Sequence, residues 1–167
     1  MHPAALDDDA LLRACDVTRG RFGGGPGGQN RNKVETAVRL THRPTGLSAA
    51  AGERRSQAEN QRVALRRLRL TLALHHRTDT DLLAVPSDLW RSRAAGGRIR
   101  CNPDHADYPA LVAEALDVLA KLKLDPRRAA TLFDVTATQL VNLLRADPTV
   151  LTHFNTQRAA AGLRGMK

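Results

Sequence analysis

An α+β fold is expected for this chain. It should comprise a small domain with a short antiparallel sheet and one long basic helix, followed by an all-α domain containing a helix-turn-helix-like pair. Three observations lead there. Short alternating segments flank a glycine-rich stretch early in the 167 residues. A long amphipathic period follows over 55–75. Proline and aspartate then divide the C-terminal half into helix-sized pieces. Apolar residues make up 42% of the chain but aromatics only 3%, and a core of Ala, Leu and Val with few rings favours helices over a β-sandwich.

Asp7, Asp8 and Asp9 suit a helix start, and 10–14 reads as a helical turn. Residues 15–21 alternate as a strand. Residues 23–32 hold five of the chain's twelve glycines and a proline, which no regular element tolerates. Residues 36–42 alternate as a half-buried strand, Arg43-Pro44-Thr45-Gly46 is turn chemistry, and 47–51 returns as a hairpin. The helix over 55–75 should bury Ala58, Leu65, Leu68 and Leu72 and present Arg55, Arg62, Arg66 and Arg69 on a second face. Residues 78–102 read as a connector with a short helix at 87–92. Helices follow at 109–122, 126–133, 136–145 and 148–158, with Pro109, Pro126 and Pro148 in first turns and Asp125 and Asp147 as caps. The expected domains are therefore 1–77, the connector 78–102, the helical domain 103–158 and a frayed basic tail, 159–167.

The net charge is +9, and its distribution is uneven. Residues 1–77 carry 14 Lys+Arg against 7 Asp+Glu, whereas 78–167 carry 12 against 10. Only four of the 26 basic residues are lysine, so the first domain has the Arg-rich footprint of a polyanion binder. Within 125–148, Arg127, Arg128 and Arg145 balance Asp125, Asp134 and Asp147, which argues against duplex DNA as a ligand of the helix pair. In that pair Ala129, Leu132, Leu140, Leu143 and Leu144 should be core, with Thr138, Gln139, Asn142 and Arg145 outward. Neither Cys15 and Cys101 nor the scattered histidines have ligand spacing, so no metal or cofactor is expected. With no 18-residue apolar run and an acidic start unlike a leader, no membrane partner is expected, and the cytoplasm and a monomeric state are the natural expectations.

Gly23, Gly25 and Gly28 satisfy a dinucleotide fingerprint, but Pro26 interrupts it and a hairpin, not a helix, follows. A flexible linker has no use for Gln29-Asn30-Arg31-Asn32-Lys33. The third reading is chemical. Two glycines let the backbone bend without a Cβ and aim the following amide N–H at a developing oxyanion. Gln29 has donor and acceptor capacity but is no base, so such a loop would steady charge and place a water.

The stretch Gly25-Pro26-Gly27-Gly28-Gln29, with Lys33-Val34-Glu35-Thr36-Ala37-Val38-Arg39-Leu40-Thr41-His42, Pro44-Thr45-Gly46 and Glu53-Arg54-Arg55-Ser56-Gln57, resembles the Gly-Gly-Gln domain of class-I peptide chain release factors and their codon-independent rescue relatives. The resemblance implies that Gly27, Gly28 and Gln29 enter the peptidyl-transferase centre of the ribosome. There they would promote attack of water on the ester of P-site peptidyl-tRNA, with Gln29 supplying its N–H and excluding bulkier nucleophiles. It also implies contact with large-subunit ribosomal RNA through Arg31, Asn32, Lys33, Arg54, Arg55, Ser56, Gln57, Arg62, Arg66 and Arg69. About 22 residues precede the loop, too few for the stop-codon-reading part of a release factor, so codon-independent hydrolysis is expected. The alternative is a non-catalytic RNA- or DNA-binding module acting through the helical domain.

Overall fold

A computed structural model describes residues 1–20 and 36–167. Gly27, Gly28, Gln29, Arg31, Asn32 and Lys33 lie outside the described residues. The expected α+β class is observed: among the described residues there are seven α-helices, a three-stranded antiparallel sheet and a two-stranded one. The chain forms two compact units, Pro3–Leu72 and Ala73–Lys167 with Met1–His2.

In the first unit, α1 (Asp8–Arg13) starts where the Asp7 carboxylate accepts from Ala10 N at 2.7 Å, satisfying one of the donors a helix start leaves open. The sheet runs β1 (Cys15–Gly20), β2 (Ala37–His42) and β3 (Ser48–Ala51), with β2 central. Cys15 pairs with His42 and Gly20 with Ala37, while Val38 pairs with Ala51. The β2–β3 turn closes where Gly46 N donates to His42 O at 2.8 Å, with Gly46 at φ 71°, a conformation glycine adopts without strain. Val38, Leu40 and His42 are buried along β2, the two-residue period of a strand with one covered face.

Helix α2 (Gln57–His75) begins after Ser56, whose hydroxyl accepts from Glu59 N. Its buried stripe is Asn60, Ala64, Leu65, Leu68, Arg69 and Leu72. Two expectations are corrected here. Ala58, in the first turn, is exposed, and the stripe begins instead at Asn60. Arg69 is not on the outward arginine face. Its guanidinium is buried, donating to Ala4 O at 2.9 Å, Leu6 O at 2.5 Å and Asp8 Oδ1 at 2.7 Å. A planar cation with five donors can satisfy two stray carbonyls and a carboxylate at once; Arg69 thus ties the N-terminal segment to α2.

In the second unit a 3-10 turn at Leu82–Ala84 precedes α3 (Asp88–Arg93), capped by Ser87. Strands β4 (Ala94–Ala95) and β5 (Arg98–Ile99) flank Gly96 and Gly97 at φ 57° and 72°. Two consecutive positive φ angles make the tight hairpin turn whose twist suits the strands. The connector expected over 78–102 is therefore structured. Helix α4 (Tyr108–Lys121) is buried along most of its length, and α5 (Pro126–Leu132), α6 (Ala137–Arg145) and α7 (Pro148–Ala160) complete the unit. Asp125, Thr136 and Asp147 cap the last three through their side chains, and Pro109, Pro126 and Pro148 all occupy first turns. The core includes Trp90 stacked on Phe133 at 3.9 Å and Tyr108, whose hydroxyl donates to Leu143 O at 3.0 Å. Burial drives the Tyr108 phenol well above its usual range. The tail is not frayed. Asn155 Nδ2 donates to Met166 O at 2.9 Å and its Oδ1 accepts from Met166 N at 2.7 Å, so the chain folds back on α7.

His2 and His153 both sit below the usual histidine range, chiefly because burial disfavours the imidazolium. At His153 the charges of His75 and Arg77 add to this effect. The unfolded chain takes up protons at about pH 6.5; the folded unit takes them up only at lower pH. Between those values the unfolded state binds more protons, so stability is complete above about pH 6.5 and declines as pH falls. The urea midpoint followed by Trp90 fluorescence should drop between pH 7.5 and 5, and less so in His153→Phe. A midpoint that rises on acidification contradicts this account.

Candidate functional site

Gly20 and Ala37, which end β1 and begin β2 on either side of the glycine stretch in sequence, are paired neighbours. The second stem is braced from the segment between β3 and α2. Asn60 is fully buried on α2 and uses its whole amide. Its Nδ2 donates to Thr36 O at 2.8 Å and Arg54 O at 3.0 Å, and its Oδ1 accepts from Arg54 N at 2.9 Å. The Thr36 hydroxyl also donates to Arg54 O at 3.1 Å. Gly52 approaches so closely that a Cβ there would lie 3.0 Å from the Ala37 Cβ. Next to it Arg67 donates to Ala50 O at 2.9 Å and pairs with Glu53 at 2.7 Å. Burial would raise the Glu53 carboxyl, but the Gly52 N–H and the Arg67 charge outweigh it and hold the group below the usual range.

Neither Asn60 nor Gly52 stood out in the sequence. The available signal was an asparagine in register with Ala64 and Leu68, on a face that otherwise turns apolar. Its role predicts a loss on substitution. Asn60→Leu takes their partner from the Arg54 N–H and the Thr36 carbonyl, while the Arg54 carbonyl keeps only the Thr36 hydroxyl, at about 1–3 kcal/mol for each buried group left unsatisfied. The urea midpoint should fall accordingly, and Asn60→Asp, which lacks the two donors, should recover little of it. Wild-type stability in Asn60→Leu would refute the brace.

The arginines expected to meet RNA separate into two groups. Arg54, Arg55, Arg62 and Arg66 are exposed, with Ser56 half-buried and Gln57 exposed at the helix entry, whereas Arg69 is withdrawn. The exposed set therefore surrounds the N-terminal half of α2, the same end that Asn60 ties to the loop stem.

In the C-terminal helix pair, Ala129, Leu140, Leu143 and Leu144 are core as expected. Leu132 is only half-buried, and Phe133 takes the interior position beside the turn. Thr138, Asn142 and Arg145 face outward, while Gln139 is half-buried. Cys15 and Cys101 are unpaired thiols, both pushed up by burial and so poorly nucleophilic. Among the described residues no group of three or more His, Cys, Asp or Glu could hold a metal, and no helix is long and apolar enough to cross a membrane.

The first unit and its stem thus define an α+β domain that carries a glycine-rich insertion between two antiparallel strands, beside a helix with an exposed arginine end. Residues 14–97 match the RF-1 domain, and the chain belongs to that family, the class-I peptide chain release factors. It is 48% identical over 71 residues to peptide chain release factor 1 of Chloroherpeton thalassium, covering 42% of this chain and 20% of that protein. Over 49 residues it is 59% identical to a chloroplastic peptide chain release factor of Arabidopsis thaliana, covering 29% of this chain and 11% of the other. Peptide chain release factor 2 of Thermomicrobium roseum is 42% identical over 67 residues, covering 40% and 18%. The chain thus spans about a fifth or less of the length of these relatives. No solved structure matches it.

Proposed function

We propose that this chain hydrolyses the ester of peptidyl-tRNA on the ribosome and releases the nascent peptide without reading a stop codon. Gly27 and Gly28 bend the backbone so that the Gln29 N–H steadies the oxyanion formed as water attacks, while the Gln29 side chain keeps larger nucleophiles out. No ionisable side chain acts as base; the substrate's own ribose hydroxyl helps move the proton. Arg31, Asn32 and Lys33, with Arg54, Arg55, Ser56, Gln57, Arg62 and Arg66, contact large-subunit ribosomal RNA and hold the loop at the peptidyl-transferase centre.

The observation that carries this reading is the RF-1 domain match over 14–97, which includes Gly27-Gly28-Gln29. Its support in the fold is the Asn60 brace, which fixes the stem after the loop to the same helix end that bears the arginines.

The test is release of labelled peptide from purified ribosomal complexes on three mRNAs: truncated in the P site, with a stop codon in the A site, and with a sense codon there. Release that does not depend on a stop codon is expected. Release confined to the stop-codon complex would overturn codon independence, and none on any complex would remove the hydrolytic reading.

A further inference from the structure

The segment 125–148 is neutral in total, but the fold sorts its charges. Asp125 and Asp147 are consumed as caps, accepting from Arg127 N at 2.9 Å and Thr149 N at 2.8 Å. Arg127 and Arg145 instead turn toward a groove of about 360 Å³, where Arg158 and Lys167 join them. Pro126 and Val141, both buried, lie beneath it, and the Asp125 carboxylate, which accepts from the start of α5, is its one acidic side chain. Arg158 is held in place by donating to Leu124 O at 2.5 Å and Arg164 O at 2.8 Å.

Arg43, Arg67, Arg69, Arg77, Arg91 and Arg93 each meet a carboxylate. None of the four groove cations does so among the described residues. Three arginines and Lys167 lining one small groove outnumber its Asp125 carboxylate, and that excess of positive charge marks a place for an external anion. The ligand must supply several negative charges close together. A phosphodiester chain does this in every unit whatever its sequence, and its paired oxygens fit the guanidinium fork. A peptide would need a run of acidic side chains.

We infer that the groove between α5, α6 and the folded-back tail binds the phosphodiester backbone of RNA, independently of the hydrolytic loop. The experiment titrates the full chain, labelled with nitrogen-15, with an octauridine RNA and separately with an octaglutamate peptide, following backbone amides. RNA should shift Thr138 and Val141. In the double variant Arg127→Gln/Arg145→Gln the apparent Kd at those amides should rise at least roughly tenfold. Its log–log salt slope should fall by about 1.4, two phosphate contacts at about 0.7 each for a single strand. Thr138→Glu, which adds a charge to the groove without removing an arginine, should weaken the same site, while Gln29→Ala should leave it unchanged. Trp90 fluorescence confirms that each variant is folded. If RNA moves only α2 amides, or if octaglutamate moves Thr138 and Val141 as strongly as RNA, the assignment is wrong.

Discussion

Gly28→Ala is expected to lower the rate of peptide release by roughly 10²–10³-fold, the usual cost of losing one preorganised oxyanion donor. In the proposed mechanism the added methyl would restrict the bend that aims the next N–H, so the donor would remain in the chain but no longer point at the developing charge. Gln29→Pro should be as severe, because it deletes the N–H outright. Gln29→Ala keeps that hydrogen and tests the side chain separately. It should retain more release than either of the others but admit hydroxylamine as a competing nucleophile, giving a hydroxamate where wild type gives the acid. These rates are to be measured at saturating enzyme on ribosomes with labelled peptidyl-tRNA. The diagnostic is the order of the three variants. If Gln29→Pro releases peptide as fast as wild type, no main-chain donor at this position is used.

That site is legible only as sequence, through Gly27-Gly28-Gln29 and the residues that follow. The structure adds the stem and its brace, and the contrast shows which features a linear reading can reach. Caps and first-turn prolines were readable because they are local: Asp125, Asp147, Pro126 and Pro148 act within three residues of themselves. The β2–β3 hairpin was readable for the same reason. Arg69 was misplaced because helical period reports a direction around the axis, not which carbonyls wait there; its partners are 61 to 65 residues away. Asn60 escaped notice because its partners are backbone groups, which carry no residue identity. The tail looked frayed because Asn155 reaches Met166 through a side-chain amide, a contact without periodicity. The two-residue strands β4 and β5 are too short to alternate, so only Gly96 and Gly97 hinted at a turn. Charge counting along 125–148 gave zero because it cannot distinguish an aspartate spent on a helix end from one facing a ligand.

Asp117 shows how much a single buried carboxylate can support, and its removal should give the largest stability change in the second unit. The side chain is 1% exposed and lies opposite Arg77 at 2.8 Å. It also accepts from Thr78 N at 3.3 Å, the Thr78 hydroxyl and the Thr80 hydroxyl at 3.3 Å. Arg77 is itself largely enclosed: burial pulls its guanidinium below the usual range, the Asp117 charge opposes that, and its Nε has no partner among the described residues. Asp117→Ala would strand this cation together with the Thr78 N–H. Breaking a buried pair from one side costs about 3–5 kcal/mol, because the surviving charge keeps its desolvation penalty and loses its compensation. In a unit of this size that corresponds to a fall in Tm of roughly 12–40 °C. Trp90 is the only tryptophan and belongs to the same unit, so its fluorescence follows this transition directly. Asp117→Asn keeps one acceptor and should lose less. The double variant Asp117→Ala/Arg77→Met removes both charges and should recover part of the loss, since an apolar replacement of a whole buried pair is often nearly neutral. A single Asp117→Ala variant within 1 kcal/mol of wild type would mean that water already reaches Arg77, and the buried-pair account would fail.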